Sequence, residues 1–467
     1  MTPDTSLSFD RREIAELATI TCPGFLTNSQ LAYLCRPMAE SRTVAFHTLG
    51  CKLNFSETSS LSRLLETEGF EKKEFDDQAD VYVINTCSVT ENADRECRHL
   101  VRRIQRRAPE SLVVITGCYA QLKPKEIAEI PGVDLVLGAA EKFNIASHIR
   151  ELSKGDSALI CSCDIDDVSG FHASWSVNDR TRTFLKVQDG CDYNCSFCTI
   201  PMARGKSRSD SIANVVRQVE ELAKNGTKEI VLTGINLGDF GKGPDGAGQV
   251  IAMNQREENF FELIKELEQV DGIDRYRISS IEPNLLTNEI IEFVANSDKF
   301  MPHFHIPLQS GSNAILGMMK RRYRRELYAD RVRLIKTLMP HCAIGADVIV
   351  GFPGENEEHF KETFDFLHSL DVSYLHVFTY SERDNTHALS LKPVVPMRTR
   401  HERNKALRNL SYMKMQYFTE QHKGQTRKVL FEKQDKGEMM EGYTDNYIRI
   451  ATPYREEWKN KIIDWKI

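Results

Sequence analysis

Between residues 43 and 150, short apolar runs alternate with amphipathic segments, and the two patterns predict strands and helices in turn. The predicted strands are 43–49, 81–85, 112–116 and 133–137. The predicted helices between them are 57–68, 93–108 and 123–130. This strand–helix rhythm is typical of βαβ units, so we expect an α/β fold whose N-terminal domain is doubly wound around a parallel sheet.

A second strand–helix series begins at residue 183, after a polar and irregular segment at 151–182 that we interpret as a linker. A Gly-rich stretch at 238–259 has no strand pattern and is interpreted as an insertion loop. Six strand patterns separated by helices indicate a central partial (β/α)6 barrel, with strands at 183–187, 229–233, 275–280, 303–308, 343–350 and 374–380.

The C-terminal part of the chain has a third pattern. A charged helix at 398–422 precedes two short strand patterns at 426–432 and 443–452, which predict a small all-β domain. Because the chain ends soon after Gly424, the sequence leaves open whether this small barrel is complete. The expected domain bounds are 1–42 for an N-terminal extension, 43–150 for the parallel α/β domain, 151–182 for the linker, 183–410 for the barrel, and 411–467 for a connecting helix and the small barrel.

The charge and composition of the chain exclude some classes of function. Lys and Arg total 61 against 67 Asp and Glu, a formal charge of −6, which excludes a uniformly basic nucleic-acid coat but not local basic patches. No apolar run approaches the roughly 20 residues that cross a bilayer, and the first residues lack the apolar core of a signal peptide. We therefore expect a cytoplasmic protein with no membrane partner. Its 12 cysteines favour metal or redox chemistry over disulfides.

Three cysteines each follow a predicted strand of the N-terminal domain, and we call them the first triad: Cys51, Cys87 and Cys118. Consecutive parallel strands end at the same edge of a sheet, so the three thiols are expected to converge there. Gly50 and Gly117 precede two of them and allow a sharp turn. Converging thiolates bind zinc or an iron–sulfur cluster, and the alternative is three buried cysteines that bind nothing.

The second triad, Cys191, Cys195 and Cys198, follows the first predicted barrel strand with the spacing C-x3-C-x2-C. This spacing is compact enough for three corners of a cubane. No fourth cysteine lies nearby in the sequence, whereas structural zinc sites usually have four ligands. The pattern therefore favours a 4Fe–4S cluster with one open iron over a zinc knuckle.

With Phe197 between the last two cysteines, QDGCDYNCSFCTIP is identified as a radical SAM signature. Over residues 43–467 the chain resembles the radical SAM methylthiotransferases, in which a three-cysteine N-terminal domain precedes a radical SAM barrel and a small RNA-binding barrel called TRAM. The segments ARGKSRS, LTGINLG, IPLQSGS and GADVIVGFPGE resemble the branch of the family that modifies threonylcarbamoyladenosine in tRNA.

The resemblance implies two 4Fe–4S clusters and S-adenosylmethionine (SAM) as cofactors. The second triad would hold the cluster that binds and cleaves SAM. The first triad would hold the cluster that carries the sulfur delivered to C2 of the modified adenosine at position 37 of tRNA. Further implied partners are an electron donor, such as flavodoxin or ferredoxin, and a sulfur donor. Family members that act on isopentenyladenosine or on a ribosomal-protein aspartate are alternatives, as is a non-catalytic RNA-binding protein with a structural metal.

The resemblance also implies SAM contacts at barrel strand ends, for which turn capping is the plain structural alternative. The expected contacts are Phe197, Gly234, Asn236, Ser279, Glu282, Gln309 and Asp347, with Gly351 and Glu355 beside them. Arg204, which is followed by Lys206 and Arg208, is expected to bind phosphate or the SAM carboxylate. His303 and His305 share one face of a strand, but without a nearby acidic partner we interpret them as structural or substrate-lining.

Two basic runs and the tail together predict contacts with the RNA backbone, although either run alone is more typical of a solvated face. A threonylcarbamoyl group also carries a free carboxylate, which a bidentate guanidinium fits best. The second run therefore offers candidates for the substrate carboxylate as well. The first run is Arg98, Arg102, Arg103, Arg106 and Arg107; the second is Lys320, Arg321, Arg322, Arg324 and Arg325; the tail adds Arg427 and Lys428.

Overall fold

The computed structural model describes residues 42–88, 91–155, 157–168, 170–177, 181–243, 258–432 and 438–467. Residues 43–467 form one compact unit. The predicted N-terminal extension, except for residue 42, and positions 244–257 of the predicted insertion loop lie outside the described residues.

The N-terminal domain is built on a six-stranded parallel sheet in the order β2–β1–β3–β4–β5–β6. Its strands are β1 (Thr43–Thr48), β2 (Glu71–Lys73), β3 (Val81–Thr86), β4 (Leu112–Gly117), β5 (Leu135–Leu137) and β6 (Leu159–Cys161). The four predicted strands are confirmed. β2 and β6 are short strands at the two edges, and their exposed residues have no apolar alternation that could predict them.

Helices cover both faces of this sheet. They are α1 (Lys52–Thr67), α2 (Glu91–Arg107), α3 (Cys118–Leu122), α4 (Pro124–Ala128) and α5 (Ile145–Glu151). Tyr82 and Ile84 of β3 lie in one apolar cluster with α2. Val81 and Val83 of the same strand lie in a second cluster with α1 and α5. Because alternate residues of one strand are buried on opposite faces, the predicted doubly wound arrangement is confirmed.

The central region forms a partial barrel of parallel strands. β8 (Arg182–Lys186), β11 (Glu229–Thr233) and β12 (Arg275–Ile278) pair with one another, as do β13 (His303–His305), β14 (Ala343–Val350) and β15 (Tyr374–Thr379). Isolated bridges from Tyr276 to Phe300 and from Ser280 to His305 join the two groups. The predicted (β/α)6 barrel is confirmed.

Barrel residues alternate between the outer layer and the interior. Leu185, Ile230, Leu232 and Ile278 lie in the apolar cluster formed with the surrounding helices, so their alternate neighbours face the interior. The helices that complete the described part of the barrel are α6 (Ile200–Arg204), α7 (Ile212–Lys224), α8 (Phe260–Glu268), α9 (Asn288–Asn296), α10 (Asn313–Met318), α11 (Arg325–Leu338) and α12 (Glu357–Ser369).

The segment 151–182, interpreted from the sequence as a linker, contributes to both sheets. It contains β6 of the N-terminal sheet and β7 (Ser174–Trp175), which pairs antiparallel with β8. Two further short strands, β9 (Gln188–Asp189) and β10 (Arg208–Ser209), pair with each other beside the second triad.

After α13 (Met397–Glu420), the tail forms a four-stranded antiparallel sheet in the order β18–β17–β16–β19. The strands are β16 (Thr426–Phe431), β17 (Met439–Thr444), β18 (Arg449–Pro453) and β19 (Ile462–Lys466). The single strand predicted at 443–452 is wrong, because a turn at 445–448 with Tyr447 at φ 69° separates β17 from β18. The last residues of the chain form β19, which pairs with β16.

Buried arginines attach this tail to the start of the barrel strands. Arg275 donates to the carbonyl oxygen of Lys428 at 2.7 Å, and Arg277 donates to that of Thr444 at 2.7 Å. Glu229, on the neighbouring strand, accepts from Arg277 Nε at 2.8 Å. The tail therefore lies at the amino end of the barrel, opposite the strand ends that carry the cysteines. None of the helices in the described part of the chain is long and apolar enough to span a membrane.

Candidate active site

The first triad lies at the carboxyl edge of the N-terminal sheet, after three adjacent strands. Cys51 follows β1 and immediately precedes α1, Cys87 directly follows β3, and Cys118 directly follows β4. Gly50 has φ 107°, and a Cβ there would lie 2.6 Å from the Cβ of Cys87. The chain leaving β1 therefore passes directly against the second cysteine, and only glycine fits at this position.

Two thiols of the first triad are buried, whereas Cys51 is exposed. Burial raises the pKa of Cys118, and Cys51 is close enough to raise it further. This arrangement agrees with the expectation that the strand ends place the three cysteines at one edge of the sheet.

The second triad follows β9, and each of its sulfur atoms accepts one N–H hydrogen bond. The main-chain N–H groups of Tyr193 and Ile200 donate to the Sγ atoms of the first and last cysteines, at 3.3 and 3.4 Å. Arg321 Nη1 donates to the Sγ of the middle cysteine at 3.1 Å. Burial raises the pKa of Cys191 and of Cys198 to about 12, and other thiols of the triad add to the shift in each. N–H donors favour the thiolate while burial opposes it, a conflict that binding to a positive metal ion resolves.

The two triads are brought together by the helices that begin beside them. α3 starts at Cys118, α6 starts two residues after Cys198, and these two helices pack against each other. α1, which starts after Cys51, packs along β7 and β8, and the rings of Phe55 and Phe184 lie 5.7 Å apart. The carboxyl edge of the N-terminal sheet therefore faces the cysteine loop of the barrel.

A buried ionic network crosses this contact between the domains. Glu57 of α1 is fully buried and accepts from Lys142 Nζ at 2.7 Å, Lys186 Nζ at 3.2 Å and Arg204 Nη1 at 3.1 Å. Asp189, after β8, accepts from Arg204 Nη1 at 3.0 Å. Burial alone would raise the pKa of Glu57, but the three cations hold it below its usual range. This network was not predicted from the sequence because its members are far apart in the chain.

Arg204, expected to contact SAM or phosphate, is instead a member of this network. Its two terminal nitrogens donate to Glu57, Asp189 and Asn54. Its guanidinium also lies close enough to the thiol of Cys118 to interact with it electrostatically. The positive charge of Arg204 therefore lies beside the first triad.

A cavity of about 210 Å³ lies beside Cys198 and contains three of the expected SAM contacts, Phe197, Gln309 and Asp347, in its wall. The other expected contacts do not line it. Glu282 forms an ion pair with Arg321, and the amide of Asn236 donates to Asp239 at 3.0 Å. Gly234 would place a Cβ 2.9 Å from Gln188, and Ser279 is buried. Glu355 accepts from the main-chain N–H of Gly351 at 2.8 Å and from Arg403 at 2.7 Å.

The interpretation that His305 has no acidic partner is wrong. Asp347 Oδ1 on β14 lies 2.9 Å from His305 Nε2 on β13 and 3.3 Å from His376 Nδ1 on β15. Ser280 Oγ lies 2.8 Å from the other nitrogen of His305. Burial alone would raise the pKa of Asp347, but the two imidazoles hold it below its usual range. His303, by contrast, stacks on Tyr447 at 4.0 Å.

Several residues of the two basic runs and the tail have hydrogen-bond or ion-pair partners within the protein. Arg321 is held between the second triad and Glu282, and Arg325 donates to the carbonyl of Gly311 at 3.1 Å. Arg427 forms a bidentate ion pair with Asp445 at 2.8 and 2.9 Å. In the first run, three members form ion pairs: Arg98, Arg103 and Arg107. The members of these sets with exposed side chains are Arg102, Arg106, Lys320, Arg322, Arg324 and Lys428.

Two family models match the chain. One is described as "Uncharacterized protein family UPF0004" and matches residues 43–138, and the other is the "Radical SAM superfamily", which matches residues 185–367. The first range contains five of the six strands of the N-terminal sheet, and the second contains most of the barrel.

Curated relatives cover nearly the whole chain. "Threonylcarbamoyladenosine tRNA methylthiotransferase MtaB" of Bacillus subtilis is 40% identical over 438 residues, which cover 91% of this chain and 93% of the relative. The protein of the same name from Aquifex aeolicus is 40% identical over 419 residues, covering 89% of this chain and 97% of the relative. A "tRNA-2-methylthio-N(6)-dimethylallyladenosine synthase" of Clostridium tetani is 29% identical over 433 residues, covering 91% and 93%.

Among solved structures, the radical S-adenosylmethionine methyltransferase TsrM of Kitasatospora setae is similar, with a TM-score of 0.52. It is 16% identical, and the match covers 73% of this chain and 75% of that chain. At this identity the likeness concerns the fold alone.

Proposed function

Because this chain belongs to the radical SAM tRNA methylthiotransferase family, we propose that it adds a methylthio group to C2 of N6-threonylcarbamoyladenosine at position 37 of tRNA. The observation that carries this proposal is the packing of α3 against α6, which brings the two triads to one contact between domains. The relatives named for threonylcarbamoyladenosine are 33–40% identical to this chain, against 29–32% for those named for dimethylallyladenosine.

The residues of each triad suit a 4Fe–4S cluster held by three thiolates. In the second triad the three N–H donors aimed at sulfur support this assignment. In the first triad the neighbouring network supports it: the cations Lys142, Lys186, Arg204 and Arg208 outnumber the carboxylates Glu57 and Asp189. This excess of positive charge beside Cys118 favours an anionic cluster. When bound, the two clusters and SAM supply the radical chemistry and the transferable sulfur.

The chain's own residues position these groups. Arg321 joins the cysteine loop of the second triad to Glu282 and so fixes that loop against the barrel. Phe197, Gln309 and Asp347 in the cavity beside Cys198 are proposed SAM contacts. His305 and His376 keep Asp347 ionised, so its carboxylate accepts hydrogen bonds from ligand hydroxyl groups.

The buried network fixes the distance between the triads. Glu57 binds partners from both domains, and a second ion pair, Arg383 to Asp94 at 2.7 Å, joins the loop after β15 to α2. A rigid contact is needed because one adenine must meet radical chemistry from one side and sulfur from the other.

Transfer RNA is the proposed macromolecular partner, with the tail sheet acting as the TRAM-like domain. The exposed side chains of Arg324 and Lys428 are available for phosphates, whereas Arg322 donates to the carbonyl oxygen of Asp192 at 3.0 Å. An electron donor such as flavodoxin or ferredoxin, a sulfur donor and a cytoplasmic location complete the proposal.

The test uses purified, anaerobically reconstituted protein with SAM, a sulfide source and a reductant. It is incubated separately with tRNA carrying threonylcarbamoyladenosine and with tRNA carrying isopentenyladenosine, and the nucleosides are analysed by mass spectrometry. We expect the methylthio product on the first tRNA only. A methylthio product on the isopentenyl substrate alone would overturn the substrate assignment.

A further inference from the structure

Lys52 directly follows Cys51 of the first triad and is the first residue of α1. Its side chain is exposed. Phe55, three residues later on the same side of the helix, places its ring 5.7 Å from that of Phe184, which faces the interior of the barrel from β8. The start of α1 therefore presents Lys52 toward the barrel interior, beside the triad assigned to sulfur transfer.

Two arginines lie near Lys52. Arg182 of β8 and Arg277 of β12 are close enough to interact electrostatically with its ammonium, as is Tyr447 in the turn of the tail sheet. Both arginines already have carboxylate partners: Arg182 Nε lies 2.6 Å from Glu432, and Arg277 Nε lies 2.8 Å from Glu229.

Lys52 differs from these arginines in having no carboxylate partner among the described residues. Within the described part of the chain, its ammonium makes neither a hydrogen bond nor an ion pair. A cation that faces an interior space among other cations, without a carboxylate of its own, is suited to an anionic ligand. By comparison, Arg321 and Arg325 of the second basic run already have protein partners.

The proposed substrate carries an anion at a matching place. In threonylcarbamoyladenosine, the substituted C6 is separated from C2 only by N1, so the N6 substituent and the carbon that receives sulfur lie on the same side of the ring. A base that brings C2 to the first triad therefore brings its carboxylate within reach of residues beside that triad, and Lys52 is one of them.

We propose that the Lys52 ammonium binds the carboxylate of the threonylcarbamoyl group and thereby selects this substrate over an isopentenyl one. The proposal rests on the proposed function and names the residue behind its substrate preference. An isopentenyl group offers no charge to Lys52 and would leave the ammonium without a partner, which disfavours its binding.

The test measures binding of anticodon stem-loop RNAs to the reconstituted full chain. Three RNAs are compared: one with threonylcarbamoyladenosine, one with its carboxylate converted to the methyl ester, and one with unmodified adenosine. The native protein should bind the first about tenfold or more tighter than the ester, as expected for a charged hydrogen bond. Lys52→Gln should bind the two alike, and Lys52→Arg should keep most of the difference. Lys125→Gln, at an exposed lysine of α4, is the matched control and should behave as the native protein.

Iron content and SAM binding are measured on every variant and should not change. Equal binding of the acid and the ester by the native protein overturns the proposal without any variant. It is also overturned if Lys52→Gln keeps the discrimination, or if it loses SAM binding instead, since the carboxylate bound would then be that of SAM. None of these outcomes refutes the proposed function if the native protein still methylthiolates threonylcarbamoyladenosine. Loss of that activity in the native protein would refute the function itself.

Discussion

Replacing Glu57 by glutamine tests whether the buried ionic network holds the two domains together. Glu57 is fully buried and lies within 2.7 to 3.2 Å of nitrogen atoms from Lys142, Lys186 and Arg204. Glutamine keeps the size of the side chain but removes its charge. Asp189 then remains as the one carboxylate of the described network, opposite several cations.

The expected loss follows from the burial of the remaining charges. Removing one partner of a buried ion pair typically lowers the free energy of unfolding by about 3–5 kcal/mol, because the other charge stays buried without compensation. Three cations lose a partner here, so we expect Glu57→Gln to reach at least the lower end of that range. Glu110→Gln, at an exposed glutamate of the same domain, is the matched control and should change the free energy of unfolding by no more than about 0.5 kcal/mol.

Urea unfolding followed by tryptophan fluorescence measures the effect. Trp175 of β7 is a local probe, since its carbonyl oxygen accepts from Arg63 of α1 at 2.8 Å. The double variant Glu57→Gln/Lys142→Met removes one anion and one cation, and it should recover part of the lost stability. If Glu57→Gln unfolds at the same urea concentration as Glu110→Gln, the network does not stabilise the contact between the domains and the reasoning is refuted.

Three further predictions concern the clusters, pH and RNA. Replacing the cysteines of either triad by alanine should halve an iron content of about eight per chain, and only loss of the second triad should abolish SAM cleavage. An unchanged iron content in the first-triad variant would contradict the arrangement at the strand ends. Burial, with smaller contributions from nearby cations, lowers the pKa of His172 from 6.5 to about 4, so the unfolded chain takes up its proton first as the pH falls. Stability should therefore decline between about pH 6.5 and pH 4, and His172→Phe should flatten this decline in urea unfolding. Arg324→Gln combined with Lys428→Gln should weaken tRNA binding and reduce its salt dependence, and identical salt slopes would argue against phosphate contacts.

The sequence predicted the parts of the fold that depend on local pattern. Strands β3 and β4 are continuous apolar runs buried on both faces, which is the pattern of a parallel sheet. The first triad was predicted because topology places the ends of adjacent parallel strands at one edge, whatever the intervening sequence. The turn at 445–448 was missed because its turn residues, Asp445 and Asn446, were included in one predicted strand, and Tyr447 adopts φ 69° without a glycine to mark it.

Contacts between residues that are distant in the chain could not be predicted from the sequence. Asp347 and His376 become partners only because β14 and β15 pair in one particular register. In the same way, Arg204 was expected to bind SAM, but it forms an ion pair with Glu57, which lies on a helix of the other domain. A charged side chain near a motif has several possible partners, and only the packing of the domains determines which one it meets.

Three cations beside the triads have different roles because the packing of the domains gives them different partners. Arg321 donates directly to a sulfur of the second triad and is ion-paired with Glu282. Arg204 lies beside Cys118 but is held by Glu57 and Asp189. Each of these guanidiniums is fixed by protein carboxylates, so it supplies a permanent positive charge next to sulfur. Lys52 has no such carboxylate within the described residues, and a free ammonium can exchange water for a ligand. Two of the three cations are therefore suited to stabilising anionic clusters, and the third to binding an anionic substrate.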